Sequence, residues 1–284
     1  MSLLRLMLPK GRIFDNVVRL LEEAGIEINL STRGYRPFVS DSSIEVKIMK
    51  PQNIPSLVEL GSHDAGFTGL DWILETEAGV KEVLNLGFNP VQIVAAIPYN
   101  SSLTELKKKR IVVASEYQLL AEKFLQEQGF DYVLIRTYGA TEVFPPEDAD
   151  MIIDNTSTGQ TLKENHLSIV STLLNSSTRF IANPQALEDP WKKEKIEELK
   201  LLFQSILDAR TRVMLEMNVP REQLETVVKI LPCMRSPTVS TLHREEGFAV
   251  KAAVPRDEAA RIIPILKKFG ATDILEYELR KVVI

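Results

Sequence analysis

Apolar and polar positions in the first two thirds of the chain follow two alternating periods. Short apolar runs, which are typical of buried parallel strands, occur at residues 3–8, 44–49, 91–97, 110–114, 132–136, 150–154 and 179–183. Between these runs, apolar residues recur at helical spacing, as at residues 14–21 and 117–128, and a further short helix is predicted at residues 142–148. Repeated alternation of strand and helix predicts an α/β fold with mostly parallel sheets.

A break at Asn89-Pro90 separates two such sets of strands and helices. We expect the first lobe to comprise residues 1–90 and 180–208, because the apolar run at 179–183 can return to the first set and a charged helix follows it. The second lobe is expected at residues 91–179.

The last quarter of the chain has a different pattern. Residues 211–284 predict the order β-α-β-β-α-β, which is the ferredoxin-like arrangement. A domain of this length can build its own small core. Many domains of this topology sense ligands, although a fold alone does not define a function.

Composition narrows the classes of function. The chain has 284 residues, 44% of them hydrophobic and 26% charged, which is typical of a folded globular protein. A net charge of −5 without a basic stripe predicts no nucleic-acid partner. No apolar stretch approaches the roughly 20 residues that span a bilayer, and the first apolar run is too short for a signal peptide. We therefore expect a cytoplasmic protein without a membrane partner.

Cysteine and histidine usage argues against two kinds of site. The single cysteine, Cys233, cannot form an internal disulfide, and the three histidines lie far apart in the sequence. We therefore expect no metal site built from protein ligands alone.

The clearest chemical signal follows the strand at 150–154. Asp154 ends this strand, and a run of hydroxyl residues with Gly159 precedes the next helix. Glycine allows close backbone approach, and N–H groups at a helix start attract phosphate. Asp154 can accept bonds from sugar hydroxyls or support Mg²⁺ through water. The segment predicts a phosphate-binding loop, with an ordinary capped turn as the alternative. Its candidate residues are Asp154, Ser157, Thr158, Gly159, Gln160 and Thr161.

A second signal is the turn Lys10-Gly11-Arg12 between the first strand and the first helix. Two cations at a helix N-terminus oppose the helix dipole, which favours a bound anion there. Two solvated side chains are the alternative. Arg33 and Lys50 are further cations of the first lobe that can contact a polyanionic substrate as a group.

Three further residues lie beside glycine turns. Glu142 follows Gly139, and Thr68 and Asp71 flank Gly69 at the start of a helix. Each can contact a substrate, and the alternative is an ordinary residue of a helix start, where acidic side chains are favoured.

Several segments together resemble ATP phosphoribosyltransferase in its long form, the family that begins histidine biosynthesis. In chain order, the catalytic motifs that match are residues 8–12, 64–71, 139–142 and 154–162. Residues 209–220 and 236–240 resemble the family's C-terminal regulatory domain. The resemblance covers essentially the whole chain. It implies a two-lobed catalytic core, similar to periplasmic binding proteins, and a ferredoxin-like regulatory domain.

The resemblance also implies a reaction. In this family, N1 of the adenine of ATP displaces pyrophosphate at C1 of 5-phosphoribosyl 1-pyrophosphate, and Mg²⁺ is required. The resemblance places the 5-phosphate in the loop at 157–161 and Asp154 near the ribose hydroxyls. The turn at 10–12 then lies near the pyrophosphate and nucleotide phosphates, and Arg33 and Glu142 match positions at the nucleotide or ribose. Asp154, Lys10, Arg12 and Glu142 are the implied catalytic residues.

Regulation and assembly are implied by the same resemblance. Free histidine is expected to bind the C-terminal domain as an inhibitor, near Asn218, Ser236 and Thr238. The chain is expected to form homo-oligomers, as dimers that assemble into hexamers.

This chain departs from the family pattern at several positions. Lys50 stands where arginine is usual, and Asn155 and Thr156 replace the apolar residues that commonly follow the aspartate. Gln160 also differs, and Asn218 stands where some relatives have an acidic residue.

Three other functions are compatible with parts of the pattern. A two-lobed protein can bind an anionic solute without chemistry, and a phosphoribosyltransferase can act on another base. A ligand-sensing regulator would need a partner surface, and no recognition helix stands out. Release of pyrophosphate when both substrates are present distinguishes the enzyme from the binding protein.

Overall fold

The computed structural model describes residues 2–29, 34–243 and 246–284. Two compact units divide the chain. Unit 1 is formed by Met1–Glu22 and Ile26–Glu197, and unit 2 by Glu23–Gly25 and Glu198–Ile284. In the described ranges, no helix has the length and apolar character needed to cross a membrane.

Strands and helices alternate through the first 210 residues. In chain order they are β1 (Leu4–Pro9), α1 (Phe14–Glu23), β2 (Ile28–Asn29), β3 (Phe38–Val39), β4 (Ile44–Met49), α2 (Ile54–Glu59), β5 (Ala65–Gly69), α3 (Leu70–Thr76), β6 (Lys81–Asn85), β7 (Val91–Pro98), α4 (Leu103–Leu106), β8 (Ile111–Ser115), α5 (Gln118–Glu127), β9 (Tyr132–Arg136), β10 (Met151–Thr156), α6 (Gln160–Glu164), β11 (Leu167–Ser176), β12 (Thr178–Ala182) and α7 (Pro190–Arg210). Short 3₁₀ helices lie at Pro51–Asn53 and Thr141–Val143.

The first sheet of unit 1 has the strand order β4-β1-β5-β12-β6. Strand β1 runs parallel to β4 and β5, whereas β12 runs antiparallel to β5 and β6. Leu4, Leu6 and Leu8 of β1 are fully buried, as the apolar run predicts. The carboxyl end of this central strand leads directly into the turn at 10–12, at an edge of the sheet where α/β proteins bind ligands.

The second sheet has the strand order β11-β7-β10-β8-β9. Strand β8 runs parallel to β9 and β10, and β7 runs antiparallel to β10 and β11. Met151, Ile152 and Ile153 are fully buried, so Asp154 emerges where the buried part of this strand ends.

The expectation of mostly parallel sheets is wrong. In the described part of unit 1, each five-stranded sheet combines two parallel with two antiparallel pairings. The chain builds the first sheet, crosses to the second and returns through β12, which therefore enters the first sheet against the direction of β5. The two sheets form two lobes, as the predicted two-lobed α/β fold requires.

The short helix predicted at 142–148 does not form. Only a 3₁₀ turn is present, at Thr141–Val143, and turns follow it. Pro145 and Pro146 have no N–H to donate, so a helix cannot continue through them.

Unit 2 contains the predicted ferredoxin-like fold. Its elements are β13 (Arg212–Val219), α8 (Leu224–Ile230), β14 (Thr238–Thr241), β15 (Phe248–Pro255), α9 (Arg256–Lys268) and β16 (Thr272–Glu278). The strands pair antiparallel in the order β14-β15-β13-β16. Val227 of α8 and Ile262 and Leu266 of α9 share a buried core with Val213 and Leu215 of β13. Both helices therefore cover one face of the sheet. Asn218 lies on the other face, which we call the uncovered face because neither α8 nor α9 packs on it.

Candidate active site

The loop after β10 has the geometry of a tight cradle. Gly159 adopts the left-handed conformation with φ +74°, which glycine tolerates better than other residues. Its N–H donates to the hydroxyl of Thr156 at 2.9 Å, and the N–H of Gln160 donates to the hydroxyl of Thr158 at 3.3 Å. These bonds fold the loop back on itself and leave the side chains of Ser157 and Thr158 exposed.

Asp154 is a half-buried carboxylate at the base of this loop. Its Oδ1 accepts from the backbone N–H of Asn155 at 2.7 Å and from the side-chain Nδ2 of Asn155 at 3.1 Å. The pKa of Asp154 is raised to about 6, by burial first and also by the negative charges of Glu116 and Glu142, while the hydrogen bonds from Asn155 and Thr141 oppose the rise. The carboxyl therefore changes its charge near pH 6.

The turn at 10–12 presents two cations to the same cleft. The N–H of Lys10 donates to the carbonyl of Met49 at 2.7 Å, and Gly11 then turns the chain with φ +91°. Lys10 and Arg12 are exposed, and the Lys10 ammonium lies 5.5 Å from the centre of the Tyr35 ring.

One cleft joins the turn at 10–12 to the loop at 154–161. In one part of the cleft, Lys10 and Arg12 lie beside Asp71 and Tyr117. In the adjoining part, Arg12 shares the walls with Glu142, Asp154 and the loop residues Thr156, Ser157, Thr158 and Thr161. We call the two parts together the interlobe cleft. The fold thus unites candidate residues from both lobes, with Arg12 common to both parts.

Glu116 and Gln52 line the cleft and were not among the sequence candidates. Glu116 follows β8 and lines both parts of the cleft. Burial raises the pKa of Glu116, and the positive charges of Lys50 and Arg136 oppose this rise. The signal available in the sequence was its position at the carboxyl end of a strand, as for Asp154. Gln52 has a buried Oε1 without a hydrogen-bond partner among the described residues, and it lines the cleft beside Trp72.

Other candidates have their polar groups engaged within the protein. The buried hydroxyl of Thr68 donates to the carbonyl of Pro51 at 2.9 Å, and the Gln160 amide donates to Glu164 at 2.7 Å. Asp71 is only 4% exposed and accepts from the hydroxyls of Tyr117 and Ser176.

Lys50 and Arg33 are the other two cations that the sequence predicts at the site. Lys50 is exposed at the start of the 3₁₀ helix Pro51–Asn53 and lies close enough to Glu116 to affect its pKa. Arg33 lies outside the described residues.

A metal cage built from protein ligands is not found in the described ranges, which contain no group of three or more His, Cys, Asp or Glu side chains arranged to hold a metal ion. The carboxylates of Glu142 and Asp154 nevertheless line the same part of the cleft. This arrangement suits a hydrated cation that arrives with phosphate oxygens.

The candidate regulatory residues lie on the uncovered face of the unit 2 sheet or at its edge. The Asn218 amide donates to Asp273 Oδ2 at 2.9 Å, so a carboxylate lies directly beside it. Thr238 is exposed on the edge strand β14, opposite Lys251, which in turn lies opposite Glu216. This register puts Thr238 on the same face as Asn218. Ser236 is exposed two residues before Thr238.

Comparisons with known proteins identify the same family in both parts of the chain. A family model for ATP phosphoribosyltransferase matches residues 50–205, and a model described as HisG, C-terminal domain, matches residues 209–281. An ATP phosphoribosyltransferase of Pelotomaculum thermopropionicum is 43% identical over 99% of this chain and 99% of its own length. One of Chlorobium phaeovibrioides is 39% identical over 99% of this chain and 97% of its own.

A solved structure has the same fold over most of the chain. The ATP phosphoribosyl transferase (HisG:HisZ) complex from Thermotoga maritima contains a chain that aligns with a TM-score of 0.64 at 24% identity. The alignment covers 71% of this chain and 99% of that chain.

Proposed function

The chain belongs to the ATP phosphoribosyltransferase family, and we propose that the interlobe cleft is where it carries out the family's reaction. This enzyme transfers the 5-phosphoribosyl group of phosphoribosyl pyrophosphate to N1 of ATP, in the first step of histidine biosynthesis. The observation that carries the site assignment is the meeting of Arg12 from the first lobe with Asp154 and the loop at 156–161 from the second.

The loop at 157–161 binds the 5-phosphate in this proposal. The exposed hydroxyls of Ser157 and Thr158 supply donors, and the left-handed Gly159 lets the backbone turn tightly around an anion. Asp154 at the base of the loop accepts hydrogen bonds from the ribose hydroxyls, and Glu142 shares this part of the cleft.

The turn at 10–12 binds the pyrophosphate. Lys10 and Arg12 are cations that line the cleft, and they would stabilise the negative charge that grows on pyrophosphate as its C1–O bond breaks and the C1–N1 bond forms. Stabilising the leaving group and holding two anionic substrates in line supply most of the rate, because such a displacement needs no covalent help from the protein.

The adenine of ATP lies beside Gln52. The buried Oε1 of Gln52 lacks a partner among the described residues and lines the cleft, so it can accept a hydrogen bond from an N–H of the base. Lys50 and Arg33 are the further cations that we propose as contacts of the nucleotide phosphates.

The family's reaction needs a divalent metal ion, and Mg²⁺ is the ion we propose. Bound to the pyrophosphate, it would neutralise the charge of the leaving group. Glu142 and Asp154 can accept hydrogen bonds from its water molecules, since both face the loop that holds the phosphoribosyl group.

Unit 2 acts as the histidine sensor in the proposal. Histidine inhibits by binding on the uncovered face of its sheet, near Asn218, Ser236 and Thr238. Asp273 supplies the negative charge that Asn218 itself lacks, because the two side chains are hydrogen-bonded. The enzyme works in the cytoplasm as a homo-oligomer, in which dimers assemble into hexamers.

One assay tests the activity directly. The purified chain is mixed with ATP, phosphoribosyl pyrophosphate and Mg²⁺, and we expect a new ultraviolet-absorbing adenine product together with released pyrophosphate. Binding of either substrate without pyrophosphate release would identify a solute-binding protein instead. Product formed only with another base would identify a phosphoribosyltransferase of different specificity.

A further inference from the structure

A continuous chain of hydrogen bonds connects the first lobe to Asp154. It begins at Asp71 of α3, whose Oδ2 accepts from the hydroxyl of Tyr117 at 2.7 Å. The Tyr117 oxygen accepts in turn from Nδ2 of Asn155 at 3.3 Å. The same Nδ2 donates to Oδ1 of Asp154 at 3.1 Å.

The donors and acceptors of this chain can be assigned only in one direction. An ionised Asp71 only accepts, so the single Tyr117 proton must point to it, and the Tyr117 oxygen is left as an acceptor. The two protons of the Asn155 amide then go to Tyr117 and to Asp154. Ser176 completes the arrangement, since its hydroxyl donates to Asp71 Oδ1 at 2.6 Å and accepts from the Asp71 N–H at 3.0 Å.

Tyr117 is held rigidly at the centre of the chain. It is 1% exposed, and its ring stacks on Trp72 with centroids 4.6 Å apart. The residue stands directly before α5, and Glu75 of α3 accepts from three N–H groups of the first turn of α5, those of Gln118, Leu119 and Leu120, at 2.6–3.1 Å. Burial and the neighbouring Asp71 raise the pKa of Tyr117, so its hydroxyl keeps its proton.

We propose that Tyr117 is a positioning residue for the transfer reaction, because its hydroxyl holds the Asn155 amide and the amide orients the carboxylate of Asp154. Asp71 and Ser176 fix the hydroxyl itself. This inference rests on the proposed role of Asp154 at the ribose. The link depends on Asn155, because an apolar side chain at this position could not transmit it.

A double-mutant cycle tests the link. Tyr117→Phe removes the hydroxyl and keeps the ring on Trp72, and it should lower kcat about tenfold with little change in the KM of either substrate, because Asp154 stays present but is less well oriented. In the Asn155→Leu background, Tyr117→Phe should cause no further fall in kcat. Equal falls in both backgrounds, or a normal kcat for Tyr117→Phe, would overturn the proposal.

Controls separate orientation from loss of structure. Tyr132→Phe in β9 removes a hydroxyl that accepts from Gln126 at 3.4 Å, away from the cleft, and should leave kcat unchanged. Rates are referred to folded protein, measured by thermal melting. If Tyr117→Phe does not fold, Asp71→Asn replaces it in the same cycle, because it alters the acceptor of the Tyr117 hydroxyl. Asp71→Asn should lower kcat in the parent chain and cause no further fall in kcat in the Asn155→Leu background.

A separate variant tests the role of Asp154 on which this inference rests. If Asp154→Asn keeps normal kcat, then Asp154 has no role in the reaction and the proposed function of this carboxylate is wrong. If Asp154→Asn is impaired while Tyr117→Phe is normal, only the positioning role of Tyr117 is wrong.

Discussion

The charge of Asp154 is set by its neighbours, and it should determine how activity varies with pH. Its pKa of about 6 lies above the ordinary value because of burial first and of Glu116 and Glu142 next. If the ionised form binds the ribose hydroxyls, kcat/KM falls as pH drops through about 6. Glu116→Gln removes a negative charge that raises this pKa, so the acid limb of the kcat/KM profile should move to lower pH.

The control for this shift is Glu127→Gln, an exposed residue at the end of α5, which should leave the acid limb in place. An unmoved limb in Glu116→Gln would show that a different group titrates there. The same carboxyl affects stability in the opposite sense. Because its pKa is higher in the folded chain than in the unfolded chain, its contribution to stability is present at low pH and is lost as pH rises through about 6.

Gly159 should be needed for binding of phosphoribosyl pyrophosphate. Its φ of +74° strains any residue with a Cβ, so Gly159→Val should distort the loop and raise the KM for this substrate. Gly129 has a similar φ of +71° at the end of α5, outside the cleft. Gly129→Val therefore imposes a comparable backbone strain and should leave this KM unchanged. Steady-state kinetics of both variants measure the KM for phosphoribosyl pyrophosphate. Equal KM values for Gly159→Val and Gly129→Val would show that the loop does not bind this substrate.

Single residues of the site differ in how far the sequence predicts them. Lys10, Arg12 and Asp154 lie at strand ends beside glycine turns, and such local patterns can be recognised in the sequence alone. Tyr117 and Gln52 carry no such signal. The importance of Tyr117 depends on Asp71 and Asn155, which are distant in the sequence, and that of Gln52 depends on a buried Oε1 in the wall of the cleft. The same limit explains why Asp71 looks like a free ligand in the sequence and is bonded to two hydroxyls in the structure.

Strands with a clear apolar pattern in the sequence were predicted, and strands without one were not. Strands β4 and β9 were predicted at their observed bounds. Strand β6 was missed because Lys81–Asn85 contains only two apolar residues, and β11 because serine and threonine interrupt its apolar residues. The short pair β2 and β3 has two residues in each strand, which is too few for a periodic signal.

The start of α5 should be stabilised by Glu75 from α3. One carboxylate accepts three N–H groups that would otherwise lack an acceptor within the helix. Glu75→Ala should lower the free energy of unfolding by about 0.5–2 kcal/mol, the range for loss of a helix cap. Chemical denaturation measures this change.

The matched control for Glu75 is Glu77, which forms an exposed ion pair with Lys123 at 2.6 Å. Exposed pairs contribute about 0–1 kcal/mol, so Glu77→Ala should have a smaller effect. If the two variants are equally stable, Glu75 does not act as a cap.

At the scale of the whole molecule, element order predicted unit 2 better than unit 1. The β-α-β-β-α-β order of residues 211–284 leads to one antiparallel sheet with both helices on one face. In unit 1, the return of the chain through β12 was foreseen, but its antiparallel direction was not, because hydrophobic period reports burial and not strand direction.

Regulation of the whole enzyme should depend on a charge at the uncovered face of the unit 2 sheet. The ammonium group of free histidine needs an acceptor, and Asp273 presents a carboxylate beside Asn218, with its Oδ2 2.9 Å from the Asn218 amide nitrogen. Asp273→Asn should therefore raise the histidine concentration needed for half inhibition, while the uninhibited kcat is unchanged. Coupling between distant sites is typically about 1–3 kcal/mol. We therefore expect loss of one charged contact to raise the histidine concentration for half inhibition roughly tenfold. Asp257→Asn, in the first turn of α9 on the opposite side of the sheet, serves as the control and should leave inhibition intact. If Asp273→Asn is inhibited at the same histidine concentration as the parent chain, the effector binds without this carboxylate and the assignment of the sensor face is wrong.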